Sequence, residues 1–260
     1  MRLLSPRVLV GAIAAVAALS CGEVPTLPDG IAYISPVILP SPAVALGDTL
    51  RDSTGTAAPI RLYGIGKAGD TIAVTPTFIV TSVPGRGVKL SPSGVVVGDS
   101  IRTVSIVGQV GTRLQTPPVT LDVVPQPDSI QASSNTRITL TATGTELLVT
   151  SEPLAVLVTS GSGATRVGVR SIIVRYRVSR WFPASFVFPD TTLTLLDDAG
   201  RFQGTDGRTS VDTSDGSGTA SRRVRSLPVG YDSIEVTASA NNLKGLPLRG
   251  TPVRFTITTK

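Results

Sequence analysis

The residues best able to do chemistry are few in this chain, and their scarcity excludes whole classes of site. The chain has one cysteine, Cys21, and no histidine among 260 residues. A single thiol cannot form an intrachain disulfide, and zinc sites need several cysteine or histidine ligands. Histidine-dependent triads are excluded for the same reason. Cys21 is therefore a candidate for covalent modification.

Glutamate and lysine, the other common acid–base groups, are also scarce. Nothing in the spacing of the few glutamates fixes a carboxylate pair at the separation that a glycosidase needs. None of the lysines lies in an S-x-x-K motif, which a serine–lysine dyad uses. The sequence therefore predicts a protein that is not an enzyme and that carries no cofactor.

An aspartate-rich stretch between residues 197 and 215 invites comparison with a calcium loop. Calcium takes about six to eight oxygen ligands, which such a stretch could supply. Aspartate and glycine are also what tight turns use, and the spacing matches no calcium-loop pattern. We therefore favour turn chemistry and predict no metal site. The aspartates are Asp197, Asp198, Asp206, Asp212 and Asp215.

An aromatic segment at residues 181–189, WFPASFVFP, contains Trp181, Phe182, Phe186 and Phe188. Its two prolines argue against a regular central strand. If the segment is exposed, it is an apolar patch suited to contact with a protein, a glycan or a membrane. If it folds over the end of a β-sheet core, it completes that core instead.

Arginines alternate along two predicted strands, so that each set shares one outward face. The sets are Arg175, Arg177 and Arg180 on one strand, and Arg223 and Arg225 on the other. If both strands lie in one sheet, they form a basic stripe able to meet an anionic polysaccharide or lipid headgroups. Otherwise they form a solvated face that discourages aggregation. The alternation of Ala220 and Val224 directs Arg222 towards the core, so either Arg222 lies at the sheet edge with its charge at the surface, or the predicted register is wrong.

The first twenty residues have the organisation of an export signal. Arg2 and Arg7 precede an uninterrupted apolar run at residues 8–19. That run is too short to span a bilayer as a stable helix, but it suits the hydrophobic region of a signal peptide. We therefore assign residues 1–20 as a signal peptide.

The end of this signal, Ala18-Leu19-Ser20-Cys21-Gly22, resembles the bacterial lipobox. The resemblance implies that Cys21 is lipidated and becomes the mature N-terminus, anchored to the outer membrane. The commonest order before the cysteine is leucine then a small residue, whereas Ala18 and Leu19 stand here. The alternative is ordinary cleavage that leaves a free thiol. Residues 21–30 form a short tether.

Composition favours an all-β chain after the tether. Charged residues make up 16% of the chain, and Gly 26 and Pro 20 suit short strands with many turns. The formal net charge of +6, reduced by loss of the signal, is too dilute for nucleic-acid binding. Alternating runs at residues 138–142, 172–178, 234–240 and 253–257 predict strands of a β-sandwich, and the strand candidates before them are residues 61–65, 71–74, 77–81, 100–107 and 119–124.

The segment Pro125-Gln126-Pro127-Asp128 interrupts this alternation and is the expected joint between two domains, at residues 31–125 and 126–260. In the second, residues 209–220, TSVDTSDGSGTA, and residues 230–239 resemble the closing half of a bacterial Ig-like domain of the invasin/intimin type. Residues 41–50 resemble such domains more loosely. The resemblance implies two Ig-like β-sandwich domains in tandem.

The same resemblance implies an adhesion, spacer or surface-display role in the cell envelope. Two alternatives remain open at the sequence level. One is a periplasmic assembly lipoprotein that docks onto an envelope complex, and the other is a carbohydrate-binding module. The expected partners are the membrane, through lipidated Cys21, and an envelope protein or a polysaccharide. The candidate ligand contacts are Trp181, Phe182, Phe186, Phe188, Arg175 and Arg177.

Overall fold

The structure, a computed structural model, describes residues 30–82, 87–112, 114–141, 147–185, 187–188, 192–202, 206–227 and 230–259. Within these ranges the chain forms β-strands, turns and one 3₁₀ turn at Gly163–Thr165. The described residues contain no helix that is both long and apolar enough to cross a membrane. The predicted all-β architecture is confirmed. Cys21 lies outside the described residues.

Ten strands precede the expected joint in the part of the chain that the structure describes. They are β1 (Ile31–Ile34), β2 (Ala43–Ala45), β3 (Gly64–Gly66), β4 (Thr71–Ile72), β5 (Pro76–Val80), β6 (Val88–Leu90), β7 (Val96–Gly98), β8 (Arg102–Val110), β9 (Leu114–Gln115) and β10 (Val119–Val124). Their main sheet has the order β2-β10-β8-β5, with β9 on β8. Smaller sheets, β1-β3-β4 and β6-β7, accompany it. A core that includes Leu50, Ile106 and Leu121 fills this first sandwich.

Among the described residues, eleven strands follow the expected joint. They are β11 (Ser129–Ala132), β12 (Arg137–Leu140), β13 (Val149–Thr150), β14 (Leu154–Ser160), β15 (Val167–Gly168), β16 (Ile173–Phe182), β17 (Leu193–Leu196), β18 (Thr209–Thr213), β19 (Thr219–Ser226), β20 (Ser233–Ala240) and β21 (Val253–Thr259). One sheet has the order β11-β14-β19-β13, with β15 on β14 and β17 on β19. The other has the order β12-β21-β20-β16-β18.

Strict alternation along the strands builds the second sandwich. Val174, Tyr176 and Val178 of β16 are buried, whereas the residues between them are exposed. The strand β20 repeats this pattern at eight successive positions. The Tyr176 hydroxyl donates a hydrogen bond of 2.8 Å to the Ala220 carbonyl in the facing sheet. The strands predicted from alternation are therefore confirmed in this domain.

Each sandwich closes by the same kind of pairing between an early and a late strand. In the first, β2 runs parallel to β10, with Val44 opposite Val123. In the second, β12 runs parallel to β21, with Ile138 opposite Ile257. Every other strand pairing in the two main assemblies is antiparallel. Within the described ranges, each sandwich therefore has one parallel strand pair, formed between an early strand and its last strand.

A five-residue turn recurs five times in the described chain. Its first side chain accepts a hydrogen bond from the backbone N–H four residues later, and its fourth residue is a glycine with positive φ. The backbone of the first and fifth residues also pairs. This geometry explains aspartate, asparagine or serine at the start and glycine near the end. The turns span residues 52–56, 91–95, 197–201, 215–219 and 242–246.

The two sandwiches meet through polar contacts and two of these turns. The Asp122 carboxylate at the end of β10 forms an ion pair of 3.1 Å with Arg170 and accepts a hydrogen bond from the Ser171 hydroxyl. A Cβ added to Gly55 would lie 2.1 Å from the Lys244 carbonyl oxygen, so the turns at 52–56 and 242–246 touch backbone to backbone. Ala43 and Val124 also reach the core of the second sandwich. The domain boundaries at residues 125 and 126 remain a prediction.

Candidate ligand-binding surface of the second domain

The aromatic segment divides between core and surface. Phe188 is buried, and its ring meets Trp181 edge-on at 5.6 Å between centroids and Tyr231 at 5.0 Å. Trp181 is half-buried and packs against the core of the second sandwich. Phe182 is 46% exposed. The segment therefore seals the end of the sandwich and also presents part of its surface to solvent. Phe186 lies outside the described residues.

A groove of about 390 Å³ lies beside Trp181, at the end of β16 and β18. Its lining includes Arg177, Arg208 and Asp206. The Arg208 guanidinium carbon lies 4.9 Å from the centroid of the Trp181 ring, within range of a cation–π interaction. Trp181 and Arg177, two of the residues that the sequence singled out, are thus brought together. Arg208 was missed, because it precedes its strand and carries no alternation signal.

Asp206 supplies the one carboxylate of this groove, and local bonds already engage it. Its Oδ1 accepts hydrogen bonds from the Thr209 hydroxyl at 2.8 Å and from the backbone N–H groups of Arg208 and Thr209. These bonds, led by that from the Thr209 side chain, lower the pKa of Asp206 below its ordinary value. The groove therefore combines two guanidinium groups with one carboxylate that holds a turn.

The outward side of the sheet β12-β21-β20-β16-β18 is rich in arginine, and we call it the arginine face. Its arginines are Arg137 on β12, Arg175, Arg177 and Arg180 on β16, and Arg254 on β21. The remaining outward positions are mostly serine or threonine; the exceptions are Ile173 and Phe182 at the two ends of β16, Val211 on β18 and one carboxylate, Glu235 on β20. The face is thus flat, hydroxyl-rich and positively charged.

Glu235 lies between two of these arginines and binds both. Its Oε2 lies 2.8 Å from the Arg180 guanidinium and its Oε1 lies 2.9 Å from that of Arg254. Ser179 also donates a hydrogen bond to Oε1 at 2.9 Å. Burial alone raises the pKa of Glu235, but the bonds from Arg180 and Ser179 and the two positive charges hold it below its ordinary value. Glu235 is therefore ionised at neutral pH.

The sequence allowed one basic stripe only if both arginine-bearing strands lay in one sheet, and they do not. Arg223 and Arg225 lie on β19, which belongs to the sheet that faces the arginine face across the core. The two sets therefore cannot form one surface. Arg137 and Arg254 replace them, because β12 and β21 extend the sheet of β16. Among the described residues, no carboxylate lies within ion-pair distance of Arg175, Arg177 or Arg137.

Arg222 is directed inward, as the alternation of β19 predicted, and it is ion-paired there. Its side chain is 8% exposed and lies 3.0 Å from the Asp212 carboxylate of β18. It also donates hydrogen bonds to the Ser210 hydroxyl at 2.9 Å and to the carbonyls of Ser221 and Val211. The sequence offered an edge position as one explanation of Arg222. The structure instead places it between β18 and β19 as a buried connection.

The aspartate-rich stretch forms turns and polar links between strands. Asp197 and Asp215 begin two of the five-residue turns, and Asp206 holds the start of β18. Asp198 accepts a hydrogen bond of 2.5 Å from the Ser221 hydroxyl. No group of three or more histidine, cysteine, aspartate or glutamate side chains in the described ranges could hold a metal ion.

Comparisons with known proteins identify similar folds only. No protein-family model and no curated protein matches the chain. The Yersinia pseudotuberculosis adhesin InvE is 16% identical over 90% of this chain, with a TM-score of 0.35, and the match covers 62% of the InvE chain. The D00-D0 domain of intimin is 14% identical over 88% of this chain and 100% of its own, with a TM-score of 0.28. Domains 4 and 5 of the S-layer protein SbsC are 14% identical over 87% of this chain and 96% of theirs, with a TM-score of 0.29.

The chain therefore spans less than two thirds of the InvE structure. Identities of 16% and below with these TM-scores carry no information about a ligand or a partner.

Proposed function

We propose that this chain is a lipid-anchored protein of the cell envelope whose two Ig-like domains act as a spacer that presents an adhesive surface. The proposal rests on one observation: the two sandwiches meet at a joint, and each has an outer end that faces away from it. The predicted anchor enters at one outer end, and the Trp181 groove lies at the other. The proposal includes no catalytic step.

The outer end of the first sandwich is reached by following its strands away from Asp122. Thr103 pairs with Asp122, and β8 continues from there to Val110. Seven residues at ~3.3 Å each extend the strand by roughly 23 Å. Leu62 closely approaches Gly108 near the end of β8, and the chain continues from Leu62 to Gly66 of β3, which pairs with Ile31 of β1. The strands β1, β3 and β4 therefore lie towards this far end. The tether at residues 21–30 therefore leads to the end opposite the joint.

The outer end of the second sandwich is reached in the same way along β16. Ser171 touches Asp122 at the joint, and β16 runs from Ile173 to Phe182. Nine steps at ~3.4 Å place Trp181 and Phe182 roughly 30 Å from the joint. The groove is thus held at a distance from the predicted anchor by two sandwiches in contact. This arrangement suits a module that reaches away from a membrane.

Protease accessibility on intact cells tests this proposal. Digestion of the second domain without lysis would place the arginine face outside the cell and support an adhesion or display role. Protection until the outer membrane is opened would contradict surface exposure and favour docking onto a periplasmic complex.

Lipid attachment is tested separately with Cys21→Ser, and Ser20→Ala serves as the matched control. The Cys21→Ser protein should leave the membrane fraction, whereas the Ser20→Ala protein should stay. Retention of the Cys21→Ser protein in the membrane fraction would contradict anchoring through this residue.

A further inference from the structure

The arginine face concentrates the positive charge of the chain. The chain carries 24 basic and 18 acidic side chains in all. Five arginines and the single carboxylate of Glu235 lie on this one face. Elsewhere, arginines such as Arg51, Arg201 and Arg222 are ion-paired with nearby aspartates. A surface of one sign raises the local concentration of oppositely charged ligands.

The spacing of the arginines suits an extended ligand. Arg177 is opposite Thr237, and Thr237 is opposite Arg254, so the two arginines lie two strands apart on one line. At ~4.8 Å per strand this separation is roughly 10 Å. Arg137 lies one strand further and opposite Thr256, so it falls on a second line, two residues along, that passes through Glu235 to Arg180. A small anion contacts only one or two of these groups, whereas a linear polymer contacts several at once.

The neutral residues of the face favour a saccharide over a lipid surface. Serine and threonine hydroxyls fill most of the positions between the arginines, and they can donate to and accept from sugar hydroxyls. Two large apolar side chains are exposed on this face among the described residues, and they lie apart: Val211 is opposite Arg175, whereas Phe182 lies seven residues further along β16, with the Arg180 guanidinium 5.4 Å from its ring. Membrane-binding surfaces place several large apolar side chains into the acyl boundary. The face offers no such set.

The Trp181 groove continues the arginine face at its outer end. Arg177 belongs to both, and Arg208 adds a further guanidinium beside the indole ring. A polymer lying along the face would therefore reach a concave site with aromatic and cationic walls. Pockets of this kind fix the position of a ligand that a flat surface alone would leave free to slide.

We infer that the arginine face and the Trp181 groove bind a linear acidic polysaccharide, through guanidinium contacts to its carboxylate, sulfate or phosphate groups. The inference rests on the proposed adhesive function and names the class of ligand for it. The contacts are charge-assisted hydrogen bonds, in which each guanidinium donates to an anionic oxygen. Affinity should fall as salt concentration rises.

The test is binding of the purified full chain to polygalacturonate and to dextran sulfate, with neutral dextran as the reference. The test variant is Arg137→Gln combined with Arg177→Gln, both exposed and without an ion pair among the described residues. The matched control is Arg61→Gln combined with Arg166→Gln, which removes the same charge from two exposed positions off the arginine face. Thermal unfolding of each variant checks that its fold is retained.

We expect the wild type to bind both acidic polymers and not neutral dextran. The test variant should lose at least tenfold in affinity, and the control less than twofold. The slope of log affinity against log salt should become shallower by roughly two in the test variant, about one for each lost contact. Because Trp181 is the only tryptophan, its fluorescence should change on binding.

Three results would overturn the inference. The first is equal loss in both double variants, which would make net charge the cause. The second is no binding to either acidic polymer. The third is binding to vesicles of phosphatidylglycerol without binding to the polymers, which would make the face a membrane surface. These measurements use purified protein, so they are independent of the protease result on cells that tests the proposed function.

Discussion

The buried pair of Arg222 and Asp212 gives a sharp prediction about stability. The Arg222 side chain is 8% exposed and that of Asp212 is 22% exposed, so both charges are largely removed from water. Asp212→Asn leaves the guanidinium buried without a counter-charge. Breaking a buried pair in this way costs about 3–5 kcal/mol. Since Asp212 keeps some contact with solvent, we expect a loss at the lower end, about 3 kcal/mol in the free energy of unfolding.

Arg222→Met should cost less, because it removes the desolvated charge itself. The Asp212 carboxylate then keeps partial hydration and still accepts the Ser221 backbone N–H at 2.7 Å. We expect the free energy of unfolding to fall by about 1–2 kcal/mol, because the Ser221 and Val211 carbonyls lose the Arg222 donor. The double variant, Asp212→Asn with Arg222→Met, should be more stable than Asp212→Asn alone. That order is the signature of an uncompensated buried charge.

Urea unfolding followed by Trp181 fluorescence measures these differences, since the only tryptophan lies in the same domain as the pair. Arg177→Met is the matched control, because Arg177 is exposed and unpaired among the described residues, and it should change stability by less than about 0.5 kcal/mol. The reasoning is refuted if Asp212→Asn costs no more than the control. It is also refuted if the double variant is the least stable of the three.

Three further predictions follow from the joint, a turn and the arginine face. Gly55→Ala should loosen the joint and speed protease cleavage at residues 125–128, because its Cβ would meet Lys244. Gly69→Ala, which has a similar φ but open space around it, should leave that cleavage rate unchanged. Asp215→Ala should lower stability by about 1 kcal/mol in urea unfolding through loss of two backbone contacts, whereas Asp215→Asn should be nearly neutral, since Asn242 plays the same role in its own turn. Glu235 has a pKa below its ordinary value of 4.5, so its stabilising effect is present above that pH and is lost as pH falls through the lowered pKa. Glu235→Gln should therefore flatten the acid limb of a plot of stability against pH, and an unchanged limb would contradict the predicted role.

Sequence alternation predicted the second domain well because each of its long strands has one buried and one exposed side. It predicted the first domain less well. Residues 61–65 were expected to form a strand, but the strand begins at Gly64 and Arg61 makes only an isolated bridge with Ile38. Pro36 lies in the partner segment between Ser35 and Ile38 and has no N–H to continue the ladder.

The candidate site was predicted only where its residues are close in sequence. Arg175, Arg177 and Trp181 share one strand, so alternation and composition were enough to single them out. Arg137 joins them through the pairing of β12 with β21, in which it lies opposite Thr256. Such a contact between distant segments leaves no local signal in one sequence. The inward direction of Arg222 was predicted, but its partner Asp212 was not, for the same reason.

The parallel pairing of β2 with β10 and of β12 with β21 has a mechanical consequence. Tension along the chain first loads β1 or β11, reaches β2 or β12 once that first strand has detached, and leaves each sandwich at β10 or β21. Because the two strands of a pair run in the same direction, their opposite ends are pulled apart lengthwise. The hydrogen bonds between them are then loaded together in shear, whereas a hairpin pulled at its open end unzips one bond at a time. In both domains such a parallel pair therefore resists extension after the first strand has detached.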